Sequence, residues 1–145
     1  MPEAVVDSNV IFAYRSRRDQ YHDRATDIVE AIDSGELPTG QVTNYTLPEV
    51  LNPILKRAGS KAARATLEFL EDSRGFRIRH LAKEDFTRGR ALFRRRDDVE
   101  ITDAITVAYM RRTDLEYVYS FDDDFDGFDG VTRFVTPENP FDPTE

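Results

Sequence analysis

The stretch Ala4-Val5-Val6-Asp7-Ser8-Asn9-Val10-Ile11-Phe12 decides how the rest of the chain is read. Ala4–Val6 read as a short buried strand, since a continuous apolar run suits a parallel sheet. Asn9 to about Arg17 read as a helix, with Ser8 or Asn9 as its N-cap. Asp7 falls at the junction, where the strand ends. In open α/β sheets, ligand sites form outside the carboxyl ends of the strands. Two readings of Asp7 stand at this level. It starts a turn or caps the helix, or it is a ligand in a site.

Three more acids sit in comparable settings. Glu49 lies early in a helical pattern, Thr46-Leu47-Pro48-Glu49-Val50-Leu51-Asn52. Asp103 opens another, Ile101-Thr102-Asp103-Ala104-Ile105-Thr106-Val107-Ala108. Asp122 follows the strand-like run Tyr117–Phe121. If the fold brings the four together, their charges need a partner. Two like charges 4 Å apart repel by roughly 4 kcal/mol at an effective dielectric of about 20. Oxygen-only ligand sets suit Mg²⁺ or Mn²⁺, and such sites most often serve phosphoryl chemistry.

Each acid also has a plainer reading. Thr46-Leu47-Pro48-Glu49 matches the capping box S/T-x-x-E, which would occupy the Glu49 carboxylate on the backbone. Asp103 in a first turn complements the helix dipole. However, its apolar neighbours place it inside, where an ionised Asp needs a partner. The run Asp122, Asp123, Asp124, Asp126 and Asp129 is a solvated loop by default. Its spacing is that of a calcium loop, but Arg133 stands where such a loop carries its bidentate Glu. Ser8, Asn9, Thr102 and Ser120 are candidates to orient ligands or to cap helices. His22 and His80 lie far from these clusters and are read as structural.

The remaining pattern alternates strands and helices. Helices are expected over Tyr21–Asp33, Tyr45–Ala58, Lys61–Asp72, Lys83–Arg96 and Thr102–Arg112. Leu47, Val50, Leu51, Ile54, Leu55 and Ala58 are expected to face inward in the second of these. Pro53 is expected to kink or split it. Ala62, Ala65, Phe69 and Leu70 are the expected core of the third. Further strands are expected at Gln41–Thr43, Phe76–His80, Tyr117–Phe121 and Val131–Val135. Strand–helix alternation implies parallel βαβ units. The expected fold is therefore a three-layer α/β/α sandwich with a mostly parallel sheet of about five strands. One domain over residues 1–136 and an acidic, proline-containing tail over 137–145 account for the 145 residues.

Composition narrows the setting. There is no cysteine, so disulfides, thiolate metal sites and thiol catalysis are excluded. No apolar run is long enough to span a bilayer, and Met1-Pro2-Glu3 lacks the start of a secretory signal. The expected location is the cytoplasm, with no membrane partner. The formal net charge is −8, whereas a nucleic-acid binder is expected to be basic. Lysine occurs only at Lys56, Lys61 and Lys83 among 20 basic residues. Abundant Asp with scarce Lys is the pattern expected of a halophilic protein. At 1 M salt the Debye length is about 3 Å, so net charge hardly repels a polyanion. Arg15, Arg17, Arg18, Arg94, Arg95, Arg96, Arg111 and Arg112 are candidate phosphate contacts.

The ordered set of V-V-D-S-N at Val5–Asn9, E-V-L-N at Glu49–Asn52, T-D-A-I-T-V-A at Thr102–Ala108 and S-F-D-D-D-F at Ser120–Phe125 resembles the PIN domain. More narrowly, it resembles the single-domain PIN ribonucleases that act as toxins of VapBC-type toxin–antitoxin modules. The resemblance covers Val5 to about Phe134. It implies that Asp7, Glu49, Asp103 and Asp122 are catalytic and metal-ligating, with Asp124 as an auxiliary. It further implies a Mg²⁺ or Mn²⁺ cofactor, an RNA substrate, a small antitoxin as partner and a homodimer. Three other functions fit the same residues less fully: an RNA-processing nuclease without an antitoxin, a PIN-like module that binds without cutting, and a phosphatase. The last lacks the D-x-D motif after the first strand, which here reads Asp7-Ser8-Asn9.

Overall fold

β1 (Glu3–Val6) has a parallel neighbour on each side, and its carboxyl end therefore sits mid-sheet. The computed structural model describes residues 2–141. In chain order the elements are β1, α1 (Ser8–Arg15), α2 (His22–Ser34), β2 (Thr39–Thr43), α3 (Thr46–Ala58), α4 (Ser60–Asp72), β3 (Phe76–Arg79), α5 (Lys83–Arg95), α6 (Ile101–Arg112), β4 (Tyr117–Tyr119), a 3-10 helix (Asp123–Gly127) and β5 (Thr132–Phe134). The sheet has five strands in the order β3-β2-β1-β4-β5. Every pairing is parallel, with Val5 opposite Gln41 on one side and Val118 on the other. The chain builds outward from β1 through β2 to β3, then returns to the far side of β1 as β4. The order reverses between β1 and β4, and that switch point is where a parallel sheet opens a crevice at its carboxyl edge.

Side-chain alternation along the strands divides the core in two. Ala4, Val6 and Tyr119 point into one cluster with Val10, Ile11, Ala25, Ile28, Val29, Ile32, Val50, Ile54 and Leu70. Val5 and Val118 point the other way, onto Val107, Tyr109, Met110, Phe125 and Phe128. Helices α1–α4 thus cover one face, and α6, backed by α5, covers the other. This is the expected three-layer fold. Ala25, Ile28, Val29 and Ile32 on α2 are all buried, as their spacing predicts. Gly35 then ends that helix at φ +90°, a left-handed conformation open to glycine.

Several local expectations change. α1 starts at Ser8, and its N-cap is Asp7, whose side chain accepts from the Ser8 N–H. Pro53 does not break α3, which runs unbroken from Thr46 to Ala58. Leu55 and Ala58 face solvent, because the buried stripe of α3 is Thr46, Val50 and Ile54. On α4, Thr66 takes the buried position expected of Ala65, with its hydroxyl on the Ala62 carbonyl at 2.9 Å. A Thr whose hydroxyl is satisfied within its own helix can be buried without stranding a polar group. His80 lies beyond the end of β3 and is exposed. The acidic, proline-containing tail is anchored as far as Phe141. The Tyr119 hydroxyl donates to the Glu138 carbonyl at 2.6 Å, and the Phe141 ring meets Tyr117 edge-on. Residues 142–145 lie outside the described residues.

α6 is buried from Asp103 to Met110, all the way round. Two contacts hold it. Gly89 of α5 lies so close that an added Cβ would fall 2.6 Å from the Ile105 Cα. At the far end, Arg112 grips the buried Asp85 carboxylate through Nε at 2.7 Å and Nη2 at 2.9 Å.

Candidate active site

Asp7 leaves the carboxyl end of β1, and Asp122 follows β4, its immediate neighbour. Asp103 reaches the same crevice from the first turn of α6. One carboxylate oxygen from each of Asp7, Asp103 and Asp122 lies within 4.8 Å of the others. Sequences separated by up to 115 positions meet here because β1 and β4 are adjacent and α6 leads into β4.

Asp7 is held from two sides. Its Oδ1 accepts from the Ser8 N–H at 2.8 Å. Its Oδ2 accepts from the Ser120 hydroxyl at 2.7 Å and from Asn9 Nδ2 at 3.3 Å. Burial pushes its pKa up to about 6; the Ser120 and Ser8 hydrogen bonds pull it down, while Glu49 and Asp122 add to the rise. Asp103 is more extreme. It is 4 % exposed, and its Oδ2 is a buried side-chain oxygen with no hydrogen-bond partner among the described residues. Burial first, then the charges of Asp7, Asp122 and Glu100, push its pKa up to about 9. Asp122 is half-buried, and its Oδ1 accepts from the Asp124 N–H at 2.9 Å.

Glu49 does not form a capping box. Thr46 lies inside α3, and its hydroxyl bonds Thr43 across the turn at 3.1 Å, so the box has no N-cap side chain. The Glu49 carboxylate instead accepts from the Thr102 hydroxyl of α6 at 3.0 Å. Burial pushes its pKa up, partly offset by hydrogen bonding from Thr102 and Ser8 and reinforced by Glu100. Glu49 is outside the three-carboxylate group and stands at its rim. Asp124 groups with Asp122 and Asp123 within the same 4.8 Å, on the outer side.

Of the polar residues singled out in the sequence, Asn9 and Ser120 bind Asp7 of the cluster, and Thr102 binds Glu49 at its rim. The Ser120 hydroxyl also accepts from Asn9 Nδ2 at 3.3 Å and the Asp122 N–H at 3.0 Å. His22 is structural, its Nδ1 paired with the Ala13 carbonyl at 2.8 Å. Three candidate phosphate contacts are committed elsewhere. Arg112 holds Asp85, Arg111 donates to the Asp129 carbonyl, and Arg96 lies over the Phe128 ring and donates to the Gly127 carbonyl. Sequence reasoning passed over Glu100, whose charge raises Asp103, Glu49 and Asp124 alike. Its position three residues before Asp103, at the N-cap of α6, was the available signal.

Such a cluster fits a divalent cation on its own chemistry. Three acidic side chains converge, two of them are buried with raised pKa values, and one buried oxygen has no donor. A carboxylate oxygen in that state wants a positive charge more than a hydrogen bond.

No curated protein matches the chain by sequence. Solved structures do. VapC20 of Mycobacterium tuberculosis, a sarcin–ricin-loop-cleaving toxin, superposes with a TM-score of 0.73 at 25% identity, covering 88% of this chain and 98% of that one. A toxin–antitoxin complex from Klebsiella pneumoniae gives 0.62 at 25% identity, covering 94% and 98%. VapBC2 of Rickettsia felis, bound to a promoter DNA fragment, gives 0.68 at 9% identity over 91% and 97%, a likeness of fold alone. The PIN domain family matches residues 4–131. With the parallel sheet, the switch-point crevice and the converging acids, this match makes the chain a member of the PIN domain family.

Proposed function

We propose that the chain is a metal-dependent endoribonuclease acting as the toxin of a toxin–antitoxin pair. The observation that carries this reading is the convergence of Asp7, Asp103 and Asp122 around the unpartnered Asp103 Oδ2. Asp7, Asp103 and Asp122 would hold Mg²⁺ or Mn²⁺, hard ions suited to carboxylate oxygens. A bound divalent ion supplies Lewis-acid chemistry for phosphodiester hydrolysis. Ser120 and Asn9 keep Asp7 aimed, and Thr102 keeps Glu49 at the rim, where its raised pKa suits it to accept a proton.

RNA as substrate is supported by the likeness to a sarcin–ricin-loop-cleaving toxin. A small antitoxin as partner is supported by the likeness to a chain of a toxin–antitoxin complex. No helix among the described residues is long and apolar enough to cross a membrane. We infer a homodimer from family resemblance; light scattering tests it.

The test is cleavage of a labelled structured RNA in high KCl with Mg²⁺ or Mn²⁺, run with an EDTA control. Wild type should cut, EDTA should stop it, and Asp7→Asn and Asp103→Asn should both be inactive. Folded wild-type protein that cuts none of several RNAs with either metal would move the assignment to a PIN module that binds without cutting.

A further inference from the structure

We propose that the cleft beside Asp122 is a nucleotide subsite for the substrate strand, with Arg24 as its phosphate-binding residue. This rests on the nuclease reading above and extends it to a residue outside the acidic set. The cleft has a volume of about 380 Å³ and is lined by Tyr21, Arg24, Phe121, Asp122, Asp123, Arg133 and Val135. It thus shares Asp122 with the carboxylate cluster, so the two adjoin.

The two arginines differ in what they are free to do. Arg133 is fixed in place: Nε and Nη2 bind the Asp126 carboxylate at 2.9 Å each, and Nη1 donates to the Ser120 carbonyl at 3.2 Å. It forms a wall. Arg24 is exposed and makes no salt bridge among the described residues. In a chain of net charge −8, a free guanidinium bordering an acidic site is a cation with no internal partner. It also sits in the first turn of α2, whose N-terminal end favours an anion. A guanidinium presents a planar fork that matches a phosphate.

The cleft lining also carries two aromatic rings. Tyr21 and Phe121 stack with centroids 4.5 Å apart and planes 17° from parallel. Both are anchored by their backbones: the Tyr21 N–H on Asp19 Oδ1 at 2.8 Å, and the Phe121 N–H on Asn9 Oδ1 at 3.1 Å. Asn9 also touches Asp7, so one side chain ties this aromatic edge to the cluster. A preorganised aromatic edge beside a free guanidinium is what an unpaired nucleotide uses, through its base and its phosphate respectively.

Arg24→Ala, Arg24→Lys and wild type are compared in cleavage and, with Ca²⁺ replacing the active metal, in binding of a labelled single-stranded RNA. Melting curves confirm that the exposed substitutions leave the fold intact. Arg24→Ala is expected to raise KM and Kd about ten-fold with kcat within two-fold, the size of one charge-assisted contact. The slope of log Kd against log salt should shrink by about one, as for loss of a single phosphate contact. Arg24→Lys should recover part of the affinity. Wild-type KM and salt slope in an active Arg24→Ala would overturn the subsite and leave the nuclease assignment standing. Absence of RNA binding by wild type would overturn it too, and failure of the cleavage assay alone would count only against the nuclease. Loss of a protein partner without loss of RNA would assign the cleft to that partner instead.

Discussion

The Ser120 hydroxyl donates to Asp7 Oδ2 at 2.7 Å across 113 positions of sequence. Both residues sit at the carboxyl ends of adjacent strands, so the sheet itself makes the bond. Ser120 is fully buried, and the bond lowers the pKa of a carboxyl that burial raises. Ser120→Ala should therefore push the Asp7 pKa further up. The acidic limb of the pH–rate profile should move to higher pH. Loss of a hydrogen bond to a charged group should cost about 1.5–3 kcal/mol of stability. An unmoved limb in a variant that has lost stability would reduce Ser120 to a packing role.

The convergence of Asp7, Asp103 and Asp122 was legible because each follows or opens an apolar segment, and so was the all-parallel sheet, because strands and helices alternate. What could not be read was distance. Glu49 fitted a capping box in sequence, but the Thr46 hydroxyl is taken by Thr43 across the turn, and the Glu49 carboxylate meets Thr102, 53 positions on. Arg112 looked like a phosphate contact because nothing local reveals that Asp85, 27 positions earlier, lies under it. Glu100 was passed over because its effect depends on what α3 and the 3-10 helix bring near.

Asp103→Asn separates stability from function. Without metal, Asp103 must take up a proton on folding at neutral pH; an amide is neutral without that cost, and its N–H group can donate to Asp7 and Asp122. The metal-free variant should melt a few degrees above wild type, at about 3 °C per kcal/mol for a chain of this size. Cleavage should fall at least about 100-fold, which corresponds to roughly 2.7 kcal/mol of lost transition-state stabilisation. Glu49→Gln should cost less activity than Asp103→Asn, since Glu49 lies outside the three-carboxylate group. Equal losses in both would bring Glu49 into the ligand set.

Without a cation, the cluster makes the fold weaker as pH rises. Asp7 is pushed up to about 6 and Asp103 to about 9, each from 3.8. Above about pH 4 the folded chain keeps protons that the unfolded chain releases, so stability falls with pH. That loss is complete near pH 6 for Asp7 and near pH 9 for Asp103. The melting temperature of EDTA-treated protein should thus decline between roughly pH 5.5 and 8.5, and Mg²⁺ or Mn²⁺ should raise it more at the upper end. Calorimetry should show protons released as the ion binds. A metal-induced shift that is flat in pH would mean that these carboxyls do not receive the ion.

Arg112 is expected to matter for the fold and not for the substrate. Asp85 is fully buried. Burial pushes its pKa up, but the Arg112 fork and the Ala82 N–H outweigh it and hold the carboxyl below its usual range. Removing the arginine strands a buried charge, which costs on the order of 3 kcal/mol. Arg112→Ala should lower the melting temperature by on the order of 10 °C. Arg112→Lys should recover little, because a point charge cannot make the two-pronged contact. Well below the melting transition, KM for RNA should match wild type in both variants, since the guanidinium is spent on Asp85. A raised KM in fully folded Arg112→Ala would return Arg112 to the substrate-binding set that its sequence position first suggested.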